Sequence, residues 1–179
     1  MGLFRRRPKL PADRRPALAA DERVLAWAEV GESGGGDGVV VATNRGLWLP
    51  DVAERPGWHE LHKAVWSGRE LAVTPATGTA ERDGYLVVAD APVRTYLLLA
   101  PGDLPEQVRA RLTRSVGYTV HHRLDRGGLR VVGRRVSGVD GLTWTVRYDP
   151  GTPADDPAVV DRTGELVAAA RAAATPAGL

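Results

Sequence analysis

Val41-Ala42-Thr43-Asn44-Arg45-Gly46-Leu47-Trp48 brings two apolar runs together at a short polar turn. Asn and Gly tolerate the positive φ angles of tight turns, so this stretch predicts a β-hairpin. Val24–Val30 is an apolar run just upstream and predicts the strand before it. The intervening residues 31–38 are mostly glycine, which has no preference for regular structure, so we expect a mobile loop.

More strands are predicted downstream of the hairpin. Leu71 and Val73 alternate with polar or small residues, which is the period of a half-buried strand. These runs predict an antiparallel meander, with further strands at residues 58–66, 71–74, 85–89 and 95–99.

An amphipathic helix should follow at residues 103–116. Asp103 and Pro105 are typical of the first turn of a helix. An apolar residue recurs at every fourth position and predicts a stripe that packs on the sheet, formed by Leu104, Val108, Leu112 and Val116.

The last third of the chain predicts three strands and a second helix. The strands cover residues 118–124, 129–136 and 142–148, and the helix begins near Asp155-Asp156-Pro157 and ends near Thr175. Apolar side chains alternate along the last strand, so we expect one buried face.

The order of these elements resembles the pleckstrin-homology-like fold of bacterial proteins. The resemblance is carried by the hairpin sequence at 41–48 and by Trp58, Leu61 and Trp66. The resemblance implies an α+β chain with an antiparallel β-barrel, a capping helix and a β-β-β-α C-terminal extension. The predicted domains are a flexible basic tail at 1–20, the barrel with its helix at 21–117, and the extension at 118–179. The resemblance also implies a binding module.

The amino-acid composition indicates which kinds of protein and of site are compatible with this chain. Of 179 residues, 43% are hydrophobic and 26% charged, which is typical of a folded domain. The chain has no cysteine, so thiolate metal sites and disulfides are excluded. No apolar run approaches the roughly 20 residues of a membrane-spanning helix, and we expect a cytoplasmic protein. Enrichment in arginine, alanine, glycine and proline indicates a GC-rich, actinobacterial genome.

A basic sector is the strongest candidate for a binding site. If its side chains converge, they form a patch for phosphate or for an acidic protein. The alternative is a solvated face produced by the arginine-rich composition. The candidates are Arg109, Arg111, Arg114, His121, His122, Arg123, Arg134 and Arg135, with Arg126 and Arg130 between them.

Catalytic and metal motifs are not found. His59 and His62 are three residues apart, and His121 and His122 are adjacent, so on strands neither pair faces one ligand. We therefore predict no catalytic residue, metal or cofactor. The leading hypothesis is a non-catalytic interaction module that contacts an unknown protein partner or the inner membrane surface. The alternatives are a nucleic-acid-associated protein whose arginines contact phosphates and a histidine-dependent hydrolase.

Overall fold

A computed structural model describes residues 9–31 and 38–175 of the chain. Its strands and helices occur close to the predicted positions. They are β1 (Val24–Val30), β2 (Gly38–Thr43), β3 (Leu47–Trp48), β4 (Leu61–Trp66), β5 (Glu70–Arg82), β6 (Tyr85–Asp90), β7 (Arg94–Leu99), α1 (Leu104–Ser115), β8 (Val116–Arg123), β9 (Gly128–Arg134), β10 (Thr143–Tyr148) and α2 (Pro157–Ala174).

These strands form one sheet in the order β3-β2-β1-β7-β5-β6-β10-β9-β8, and β4 pairs separately with β5. Neighbours are antiparallel except β6 and β10, which run parallel. The prediction of a mixed α+β chain is confirmed. The sheet does not close on itself, so the predicted barrel is not confirmed.

Strand β5 joins the two halves of the sheet. Its first part pairs with β4 and β7, whereas residues from Ala76 onward pair with β6. Pro75 lies at the change of partner, where its missing N–H group is least costly. The prediction that this strand ends at Thr74 was wrong, because β5 continues to Arg82 and the proline marks a switch in pairing.

The hairpin at Thr43–Leu47 is confirmed, but its turn differs from the expected one. Neither Asn44 nor Gly46 has a positive φ. The Thr43 hydroxyl accepts hydrogen bonds from the backbone N–H groups of Arg45 and Gly46, both at 3.1 Å. A side-chain acceptor therefore stabilises this turn in place of the left-handed conformation.

Two apolar cores lie on the sheet. Helix α1 covers the first core, where Leu104 and Val108 are fully buried against β1, β2 and β4. Helix α2 covers the second, in which Leu166 and Val167 pack on residues of β6, β9 and β10. The predicted apolar side of the last strand, with Trp144, Val146 and Tyr148, faces this second core.

Part of the predicted basic tail and of the predicted mobile loop lies outside the described residues, at 1–8 and 32–37. The described part of the tail runs beside β1. It contains a single turn of 3-10 helix at Ala12–Arg14, and the Arg14 guanidinium forms an ion pair with Glu29 at 2.9 Å. The described part of the tail is thus joined to β1 through Arg14.

Candidate functional site

The structure divides the predicted basic sector among several environments. His121, Arg123 and Arg130 lie on the outer face of the C-terminal strands, opposite α2, where His121 and Arg130 are directly opposed cross-strand neighbours. His122 is opposite Leu129, which belongs to the second core, so its side chain is on the other face. Alternation along a strand explains this separation of adjacent histidines.

Arg134 is buried and is part of the framework of the fold. Only 6% of its surface is exposed. Its guanidinium donates hydrogen bonds to Ser115 Oγ at 2.8 Å and to the Leu61 carbonyl at 3.2 Å, and burial lowers its pKa. Ser115 is the last residue of α1, where the helix dipole is negative and stabilises a cation. Arg134 thus connects β9, α1 and β4.

Arg135 also serves the end of this helix. Its guanidinium donates to the carbonyl oxygens of Arg114 and Val116, at 3.1 and 3.2 Å. The Arg114 carbonyl is among the last four of α1, which have no partner within the helix, so the Arg135 side chain replaces a missing backbone donor there.

The remaining members of the sector lie on α1. Arg114 is exposed, whereas Arg111 is half-buried. Arg109 is exposed and lines a groove at the start of the helix. The eight predicted site residues therefore do not form one surface, since side chains on α1, on both faces of β8 and in the interior are separated by the fold.

The groove that Arg109 lines lies between β4 and the first turns of α1, and we call it the β4–α1 groove. Its volume is about 710 Å³. Its walls are mostly apolar, with Asp103, Glu106 and Arg109 as the charged side chains; the other lining residues are Ala64, Val65, Trp66, Leu71, Pro101, Gly102, Pro105 and Val108. Val65, which lines the groove, is 46% exposed.

A second cluster links the two halves of the sheet. Asp90, at the end of β6, binds His62 Nδ1 at 2.6 Å and the Arg147 guanidinium at 3.0 Å. Burial lowers the pKa of His62, and the positive charges of Arg134 and Arg147 add to this effect, so that together they outweigh the Asp90 carboxylate. Burial likewise lowers the pKa of His59, with Arg134 and Arg55 acting in the same direction against Glu60.

These two histidines should make the fold sensitive to mild acid. Below the ordinary histidine pKa of 6.5, the unfolded chain binds protons that the folded chain does not, so the free energy of unfolding falls as the pH falls. We expect the urea midpoint to decrease between about pH 7 and about pH 5.5. His62→Gln should flatten this dependence. Equal slopes for wild type and His62→Gln would contradict the prediction.

The contacts around the histidines bear on nucleophilic catalysis and on metal binding. Among the described residues, no serine or threonine hydroxyl is hydrogen-bonded to a histidine, and no group of three His, Asp or Glu side chains is arranged to hold a metal ion. Sequence reasoning missed Asp90 and Arg147, because their approach to His62 depends on pairing between distant strands.

Neither helix in the described part of the chain is both long enough and apolar enough to cross a membrane.

Comparison of the chain with protein-family models, with curated proteins and with solved structures finds no match. The site must therefore be interpreted from its own geometry.

Proposed function

We propose that this protein is a non-catalytic interaction module that binds an extended segment of a partner protein in the β4–α1 groove. The observation that carries the proposal is the position of β4. It pairs with β5 along one edge, and no other described strand pairs with it. A free strand edge offers backbone donors and acceptors to an incoming strand, while an adjoining groove receives its side chains.

The lining of the groove supports the same ligand class. Val65 and Trp66 provide apolar contact area, and Glu106 and Arg109 provide charges of both signs at its border. Apolar walls with a few polar groups are typical of sites that bind ligands in a defined orientation. The floor is rigid, because Leu71 and Val108 belong to the first core.

The pleckstrin-homology-like assignment belongs to this proposal. The hairpin of β2 and β3 and the position of α1 over the first core favour it. One fold can serve many unrelated functions, so the groove, and not the fold, supports the proposed binding. Contact with the inner membrane surface, a cytoplasmic location and an actinobacterial origin stay predictions from the sequence.

A display library of random peptides panned against the intact chain tests the proposal. Selected peptides should bind with an affinity that calorimetry can measure. Val65→Glu should weaken that affinity by at least about tenfold, because it places an unpaired charge against an apolar contact. Val93→Glu is the matched control, because Val93 is 60% exposed and lies outside the groove.

The proposed site would be contradicted if the two variants lost peptide affinity equally, or if Val65→Glu bound the selected peptides as tightly as the wild type. Amide chemical shifts of β4 provide an independent readout, because strand addition changes the hydrogen bonding of its free edge.

A further inference from the structure

A row of basic side chains crosses the outer face of the C-terminal strands. His121 on β8 lies opposite Arg130 on β9, and Arg130 lies opposite Arg147 on β10. We call these three residues the outer row. Each of them is exposed, and Arg123 lies two residues from His121 on the same face.

The direct opposition of Arg130 and Arg147 costs stability unless something compensates for it, because like charges on neighbouring strands repel. Compensation is present at both ends of the outer row. His121 Nε2 is 2.7 Å from Asp149 Oδ2, and Arg147 is 3.0 Å from Asp90 Oδ1. Arg130, in the middle, forms no ion pair with any carboxylate in the described ranges. The two carboxylates therefore orient the His121 and Arg147 side chains and leave the central guanidinium available.

Gly128 allows the ion pair of His121 with Asp149 to form across the intervening strand. A Cβ atom at this position would lie 2.5 Å from Asp149 Oδ2, 2.8 Å from the backbone carbonyl oxygen of His122 and 3.2 Å from His121 Nε2. The φ of Gly128 is not in the left-handed region, so the backbone conformation alone does not require glycine here. The space left by the missing side chain of Gly128 lets the carboxylate of Asp149, the residue after β10, reach a histidine on β8.

We propose that the outer row binds a phosphate group, with Arg130 as its central donor and His121 and Arg147 at its two sides. Neighbouring strands are about 4.8 Å apart, so the row spans about 10 Å, and the long arginine side chains can converge on one oxyanion above Arg130. A guanidinium presents paired N–H donors that match two phosphate oxygens. This inference concerns a different surface from the β4–α1 groove and does not depend on it.

Titration of the intact chain with inorganic phosphate, followed by amide and arginine side-chain NMR at constant ionic strength, tests the site. Saturable shifts should be centred on Arg130 and Gly128. Arg130→Gln should weaken the affinity by about tenfold, the factor expected for losing charge-assisted hydrogen bonds. Arg69→Gln is the control, since Arg69 is exposed in the turn between β4 and β5.

Gly128→Ala places a methyl group against Asp149, His121 and the His122 carbonyl oxygen and changes no ionisable side chain. It should weaken phosphate binding with a smaller effect than Arg130→Gln, and a urea transition recorded in parallel shows that the fold is retained. Shifts that do not saturate, or equal affinities for wild type, Arg130→Gln and Arg69→Gln, would overturn the proposal.

A binding experiment with lipid vesicles distinguishes a phosphate that belongs to a lipid headgroup from one that belongs to a soluble ligand. Sedimentation with phosphatidylglycerol vesicles that is lost in Arg130→Gln identifies a lipid headgroup, whereas phosphate binding without sedimentation identifies a soluble phosphorylated ligand. Both results support the site. Binding of a single-stranded oligonucleotide that is weakened in Arg130→Gln, in the absence of phosphate binding, would overturn it in favour of a nucleic-acid surface.

Discussion

Deletion of residues 118–179 is expected to leave a fragment that does not fold cooperatively. Strand β6 sends Tyr85 and Val87 into the second core, where each is only 7% exposed. In the fragment both lose their partners on β9, β10 and α2. Exposing two such side chains costs about 3 to 6 kcal/mol, against a total stability of about 5 to 15 kcal/mol for a typical domain.

Arg134 adds to the expected loss. The deletion removes the guanidinium that donates to Ser115 Oγ and to the Leu61 carbonyl, so two polar groups at the end of α1 and the start of β4 lose their partner. A buried acceptor without a donor costs about 1 to 3 kcal/mol. Helix α1 is therefore expected to loosen as well, although all of its residues are present.

Circular dichroism and urea denaturation of residues 1–117 beside the full chain check this prediction. The matched control is the same fragment with Tyr85→Thr and Val87→Thr, which removes the exposed apolar surface and should restore part of the solubility. A fragment that unfolds in one transition near the full chain's midpoint would contradict the prediction, and would support residues 21–117 as an independent domain.

Glu22→Gln is expected to lower the free energy of unfolding by about 3 kcal/mol, within the range measured when one partner of a buried ion pair is removed. The Glu22 side chain is only 2% exposed. Its Oε1 accepts from the Thr43 hydroxyl at 2.7 Å and from Trp48 Nε1 at 3.0 Å, and lies 2.9 Å from Arg55 Nε. Glutamine has one carbonyl oxygen, so its amide group would face donors, and the Arg55 charge would lose its partner.

The effect of Glu22 should depend on pH. Burial alone would raise the pKa of this carboxyl, but hydrogen bonds from Thr43, from the backbone N–H of Ala19 and from Trp48, together with the charge of Arg55, lower it overall. The stability that Glu22 contributes is present above the unfolded pKa of about 4.3 and is lost as the pH falls through the lower folded value. The difference between wild type and Glu22→Gln should therefore shrink in acid.

Urea denaturation of both proteins at neutral and at acidic pH measures this difference. Glu54→Gln is the control, because Glu54 is exposed and makes the same change of charge. If Glu22→Gln and Glu54→Gln are equally stable at neutral pH, then the contacts of Glu22 do not stabilise the fold.

Most of the secondary structure could be predicted because its signals are local. The apolar stripe of Leu104 and Val108 predicted α1, and the alternation around Trp144 and Val146 predicted β10 and its buried face. The main errors arose where a local signal had a second meaning. Pro75 normally ends a strand, but here it lies where β5 exchanges one neighbour for another.

The candidate site was less predictable. Five of the eight proposed residues kept exposed side chains, yet Arg134 is buried, and Arg135, though exposed, supports the end of α1. Arg147, which completes the outer row, was not proposed at all. An arginine-rich segment in the sequence does not distinguish a guanidinium that caps a helix from one that faces solvent, because both lie near the same elements.

The sequence by itself determined the positions of the helices and strands, the absence of thiol chemistry and the mixed α+β class, since propensity and periodicity act over a few neighbouring residues. Only the tertiary structure decided the open sheet, the parallel pairing of β6 with β10, the burial of Glu22 and Arg134, and the meeting of His62 with Asp90 and Arg147. These features depend on contacts between residues far apart in the chain, and such contacts form only when the whole sheet assembles.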